Sequence, residues 1–87
     1  MLTAEKAKAK LQQSFEDFYR FHKEDADKAL DAINYRIHLA INHRQYGTEV
    51  ELQELSADMQ RYIIYHLRQL GFIVTSHMPF IHISWGE

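Results

Sequence analysis

The first forty-six residues of this chain contain neither glycine nor proline. One apolar stripe runs through them in phase: Ala4, Ala7, Leu11, Phe15 and Phe18, then Ala26, Ala29, Ile33, Ile37 and Ala40. Steps of three and four mark one face of an α-helix. A single helix from Thr3 to Gln45 would measure roughly 63 Å at 1.5 Å per residue. A compact domain of this length is only roughly 30 Å across. The segment therefore folds back on itself or projects and meets a partner. Two signals bear on the choice, and they disagree. His22, Lys23, Glu24 and Asp25 interrupt the apolar pattern, and Asp25 can cap a second helix. The unbroken phase favours one continuous helix. A long or kinked helix and a helical hairpin broken near 22–25 both remain open.

The flanking signals are clearer. Thr3 is a suitable N-cap with Glu5 in the first turn, while Lys6, Lys8 and Lys10 oppose the helix dipole and favour fraying. Gly47 is the expected left-handed residue that ends the helical part. Thr48 to Leu55 alternates, with Val50 and Leu52 on a buried face and Glu49, Glu51 and Gln53 on a solvent face, as in a half-buried strand. Ser56 caps the next helix, whose buried stripe is Met59, Ile63, Leu67 and Leu70, and Gly71 terminates it. The tail reads as a β-hairpin. Phe72 to Thr75 are strong strand formers. Phe80 to Trp85 alternates, which puts Ile81, Ile83 and Trp85 on one face, with Trp85 expected as a buried anchor. A tight His77–Phe80 turn requires a cis Met78–Pro79 bond; a longer loop with a trans bond is the simpler expectation. The expected fold is one α+β domain, 1–87. A helical part, 1–46, precedes a β-α-β-β part, 47–87, with a three-stranded sheet, a C-terminal hairpin and helices on one face.

Composition narrows the function classes. The apolar fraction of 46% and aromatic fraction of 13% belong to a folded chain. The absence of cysteine excludes disulfides and thiolate chemistry, and small unstapled domains often gain stability by oligomerising. Residues 1–46 carry a net +1 and residues 47–87 a net −3, so neither half is a polycation of the kind that binds nucleic acid. No apolar run reaches membrane-spanning length, and MLTAEKAKAK is too polar for a signal sequence. A cytoplasmic protein is expected.

No catalytic motif stands out. The six histidines include His38 and His43, whose spacing of five does not share a helix face, and His77 and His82, which flank the hairpin turn; two such ligands do not make a metal site. The serines lack a nucleophile elbow, the three glycines are scattered, and adjacent Glu16 and Asp17 point apart on a helix. No enzyme activity, cofactor or metal is expected. Two polar and aromatic clusters are better binding candidates. Tyr35, Arg36, His38, Asn42, His43 and Arg44 lie together on the second helical segment, with Asn34 and Tyr46 beside them. Arg61, Tyr65 and Arg68 share a face of the helix after Ser56. Arginine with tyrosine suits a protein hot spot, or a phosphate with a stacked base. Leu11, Phe15, Phe18 and Phe21 put more apolar surface on the first helix than one helix and three short strands can cover, which points to a homo-oligomer interface. The helix–hairpin order resembles a winged helix, but one helix is missing and the turn Ser76–Pro79 carries no lysine or arginine for phosphate.

The run from EVELQEL through IIYHLRQLGFIV to IHISW resembles a pattern found in small phage-encoded accessory proteins. It rests on Val50, Leu52, Leu67, Leu70, Gly71, Phe72, Val74, Ile83, Ser84 and Trp85. The resemblance implies a phage or prophage origin and a non-enzymatic role. The expected function is a small binding protein that inhibits a host protein, perturbing host defence, as a homo-oligomer in the host cytoplasm. The alternatives are a sponge holding an anionic nucleotide between subunits through Arg36, Arg44, Arg61 and Arg68, and a winged-helix-like DNA-binding regulator.

Overall fold

The helical part breaks once, at His22. The structure, a computed structural model, describes residues 1–86. It places α1 at Ala4–Phe21 and α2 at Lys23–Asn42. His22 leaves the helical region at φ −125°, ψ 27°. Its N–H still donates to Phe18 O at 3.0 Å, and its carbonyl accepts the Ala26 N–H at 2.9 Å. The cap expected at Asp25 is not used. Glu24 and Asp25 lie instead in the first turn of α2, where acids suit the dipole. Residues 4–42 thus form two helices that change direction at a one-residue break, the kinked form of the expectation. The change of direction lets Phe15, Phe18 and Tyr19 of α1 pack against the core that Ala26, Ile33 and Ile37 of α2 help to form. The domain is nevertheless elongated, 48 × 28 × 20 Å with a radius of gyration of 14.0 Å, and every residue of α1 from Ala4 to Ser14 is exposed.

Both caps read from the sequence form: Thr3 Oγ1 accepts the Lys6 N–H and Ser56 Oγ the Met59 N–H, each at 3.2 Å. The end of α2 differs from expectation. Gln45 N–H donates to Ala40 O and Arg44 N–H to Ile41 O, both at 2.9 Å. This is a Schellman end, and its left-handed residue is Arg44, at φ 58°, not Gly47. Gly47 answers a different need. It starts β1 (Gly47–Glu51), where a Cβ would lie 2.9 Å from the Ile83 carbonyl oxygen.

β1 ends earlier than Leu55. Leu52 N–H donates to Pro79 O at 2.8 Å and Leu55 N–H to Leu52 O at 3.0 Å, and Gln60 Nε2 ties the Leu52 and Leu55 carbonyls together. Then follow α3 (Ala57–Gln69), β2 (Ile73–His77) and β3 (Phe80–Ser84). Helix α3 ends as expected, with Gly71 at φ 96° and Phe72 N–H on Leu67 O. The hairpin turn is the tight His77–Phe80 form, with Met78–Pro79 cis, and not the longer trans loop. The sheet is wholly antiparallel in the order β1-β3-β2, with α2 over β1 and α3 over β2.

The core is Ala26, Ile33 and Ile37 of α2, Met59, Tyr62, Ile63 and Leu67 of α3, and Leu52, Val74, Ile81 and Ile83 from the sheet side. Two expectations are corrected. Leu70 is exposed, because α3 ends before its stripe reaches another layer, and Tyr62 is buried in its place. Trp85 is half-buried, edge-on to Phe72 at 6.3 Å, because it follows the last residue of β3 and no helix covers it fully. Ile83, with no exposed surface, is the stronger anchor. Ile83→Ala should cost about 2–5 kcal/mol and Trp85→Ala less, as read from chemical denaturation. The reverse order would place the Trp85 ring deeper than the structure does.

Candidate functional site

The pairing register fixes which backbone groups face the sheet edges. Leu52 N–H donates to Pro79 O and Trp85 N–H to Tyr46 O. Even-numbered residues of β1 therefore bond to β3, and Gly47, Glu49 and Glu51 turn their N–H and C=O groups outward. By the same alternation, Val74 and Ser76 face outward on β2. Two arginines of the sequence-derived site meet these edges. Arg36 Nη2 of α2 donates to Glu49 O at 3.3 Å, and Arg68 Nη2 of α3 donates to Val74 O at 2.9 Å. Each outer strand thus has one edge carbonyl covered by an arginine of its overlying helix. Because β3 lies between β1 and β2, the two guanidinium contacts are separated by two strand spacings, roughly 10 Å.

The rest of the α3 cluster is also engaged within the chain. Arg61 Nη1 lies 3.0 Å from Asp58 Oδ1, in an exposed ion pair. Tyr65 stacks on Phe15 of α1 with ring centroids 4.2 Å apart. Tyr62 lies beneath Phe15, Phe18 and Tyr19, at 6.4, 5.7 and 5.6 Å. The predicted interface on α1 therefore divides. Phe15 and Phe18 are half-buried against α3 of their own chain, and Leu11 and Phe21 are 55% and 81% exposed. Sequence reasoning underestimated what one helix could cover, since Tyr62 and Tyr65 present two rings to α1.

Tyr19 donates from its phenol to Asp27 Oδ1 at 2.8 Å. That bond, then desolvation and the Asp27 charge, hold Tyr19 above the usual tyrosine value of 10.0. Burial, with the neighbouring Tyr19, Asp27 and Tyr65, does the same for Tyr62. Both phenols bind their proton more tightly in the folded state. Their contribution is complete below the unfolded value near 10 and is lost as pH rises through the raised values. Spectrophotometric titration should show both ionising later than free tyrosine, and Asp27→Asn should bring Tyr19 down while Tyr62 remains high. A single late group in wild type would contradict the arrangement.

The α2 cluster keeps its free surface. Tyr35, His38, Asn42 and His43 are exposed, as is Asn34. At the end of this face Ile41, Arg44, Gln45, Tyr46, Trp85 and Gly86 line an open cavity of about 660 Å³. Ile41 and Tyr46 are 49% and 60% exposed. Sequence reasoning missed Ile41 and Trp85 here, because the Tyr46–Trp85 backbone bond that brings the chain's end beside α2 has no local signature. Arg44 makes no side-chain hydrogen bond or ion pair among the described residues, and it holds a left-handed backbone that costs a non-glycine residue about 1–2 kcal/mol. Arg44→Gly should therefore stabilise the fold by about 1 kcal/mol, a rise in Tm of about 4–8 °C. A fall in Tm would mean that the Arg44 side chain itself supports the fold.

His77 and His82 both lie on the outer sheet face, His77 opposite Phe80 and His82 opposite Thr75. Among the described residues no group of three or more histidines and carboxylates is placed to hold a metal, and no helix is long and apolar enough to cross a membrane. No family model matches the chain, and no curated protein or solved structure does so either.

Proposed function

We propose that this chain is a non-enzymatic protein-binding module whose hot spot is the end of α2. The observation that carries the reading is the meeting of Ile41, Arg44, Tyr46 and Trp85 around one shallow cavity. Tryptophan, tyrosine and arginine are the residues that most often dominate binding energy at protein interfaces. Arg44 is held in a costly conformation, and such strain often marks a binding site. In the setting implied by the phage resemblance, the module acts in the host cytoplasm by covering a surface of a host protein and inhibiting it. The nucleotide sponge has less support, since Arg36 and Arg68 are bonded at opposite sheet edges and Arg61 pairs with Asp58. DNA binding has less again, since the hairpin turn carries no lysine or arginine.

The working unit we propose is a homo-oligomer, joined through the uncovered half of α1. The stripe Ala4, Ala7 and Leu11 continues the one that buries Phe15 and Phe18, yet no residue of α1 is fully buried. A second copy meeting it across a two-fold axis would cover it.

Tyr46→Ala with Arg44→Ala should abolish capture of the partner from bacterial lysate while leaving the circular dichroism spectrum unchanged. Retained capture would remove the hot spot from this face. A nucleotide that raised Tm as expected for about 2.7 kcal/mol at a hundredfold excess over Kd would favour the sponge instead. Light scattering should report more than a monomer for wild type and a monomer for Leu11→Glu. A monomeric wild type at high micromolar concentration would contradict assembly through α1.

A further inference from the structure

We propose that the free edge of β1 is a docking strand for an extended basic segment of the partner protein. The inference rests on the protein-binding reading above but on neither the Tyr46–Trp85 patch nor assembly through α1. Three observations carry it. The first is hydrogen bonding. Gly47, Glu49 and Glu51 present outward backbone groups by register. Among the described residues the one hydrogen bond to them is that from Arg36 to Glu49 O, long at 3.3 Å and exposed. Such a row is a template for an added strand.

The second observation is space. Helix α2 passes over this edge with the small residues Ala29 and Ala32, and the cleft between them and Val50, Leu52 and Leu55 has a volume of about 710 Å³. An inward side chain from an added strand would meet Ala29, Ala32, Ile33 and Val50 there, with Glu51, Gln53 and Glu54 also lining the cleft. The third is charge. Glu49, Glu51 and Glu54 follow the edge, where natural edge strands are commonly guarded by lysine or proline.

Together these define the segment recognised. In an antiparallel addition, the residues opposite Glu49 and Glu51 form hydrogen-bonded pairs and lie on the outer face of the sheet, with Cα atoms about 5.5 Å apart. Opposite charge is favoured at such pairs, so these residues are lysine or arginine. The residue between them, opposite Val50, points beneath α2 and is apolar. The pattern is basic, apolar, basic. A second copy of β1 would set glutamate against glutamate, which the same pairing rule disfavours.

The test is fluorescence anisotropy with a labelled heptapeptide of alternating lysine and valine, against a glutamate–valine control. The lysine peptide should bind saturably, and the control at least about tenfold more weakly. Glu49→Pro removes only an outward N–H, which an edge strand tolerates, and should weaken the lysine peptide by about tenfold or more. Arg36→Met frees the Glu49 carbonyl and should strengthen binding. Should Glu49→Pro fail to fold, Glu49→Lys with Glu51→Lys provides the second arm and should reverse the peptide preference. On binding, hydrogen exchange should slow at the Gly47, Glu49 and Glu51 amides. Equal binding of both peptides, no saturation up to about 1 mM, or an unchanged affinity in Glu49→Pro would overturn the proposal. Protection of those amides that rises with protein concentration alone would overturn it in favour of a second copy. Failure of the wild type to bind the lysine peptide saturably, with its lysate capture intact, would sink the edge and leave the protein-binding reading standing.

Discussion

Tyr62 holds the two ends of the chain's logic together. Its ring lies on α3, yet it touches Phe15, Phe18 and Tyr19 of α1 and stacks near His66. Aromatic rings of this kind bury roughly 150–250 Å² each. No residue of α1 is fully buried, so this aromatic seam is the main attachment of α1 to the rest of the domain. Without it, residues 4–42 would have little cause to break at His22, because the apolar phase passes through that point undisturbed. The seam ends near Phe15. Everything N-terminal to it is helix that its own chain does not cover.

The sheet depends on a second constraint, the short separation between its strands. Ile81 and Ile83 lie on the central strand with no exposed surface, and the inner faces of β1 and β2 join them beneath α2 and α3. This order leaves two free edges, and each is met by an arginine from the helix above. Arg68 covers β2 with a short bond and Arg36 covers β1 with a longer one. The difference matters for function. One edge is closed by a bond of ordinary length, and the other is guarded by a bond that a competing N–H can replace.

Much of the fold was legible because its signals are local. Thr3, Ser56 and Gly71 act as the caps they resemble, and the stripes on α2 and α3 run largely through the residues that periodicity picks out. Features set by distant partners were not legible. The break at His22 accompanies the packing of α1 on Tyr62, forty residues away in sequence. Arg44 takes the left-handed position that Gly47 was expected to fill, and Gly47 is required by the Ile83 carbonyl across the ladder. The candidate site shows the same division. The exposed face of α2 was visible as a cluster, and Tyr46 could be placed beside it. The structural duties of Arg36, Arg68 and Tyr65 depend on strand register and on α1, which no spacing within one helix reveals. Trp85 was noticed as an anchor and missed as part of a surface.

We propose that this domain holds its fold with half of α1 and offers the other half, with the β1 side, to partners. Residue-resolved hydrogen exchange across α1, measured at several protein concentrations, tests it most directly. The account expects the Phe18 to Phe21 amides to exchange slowly at every concentration. Amides from Ala7 to Leu11 should exchange quickly in dilute solution and slow as concentration rises. Uniform, concentration-independent protection along the whole helix would show that its own chain already covers α1, and would contradict the account.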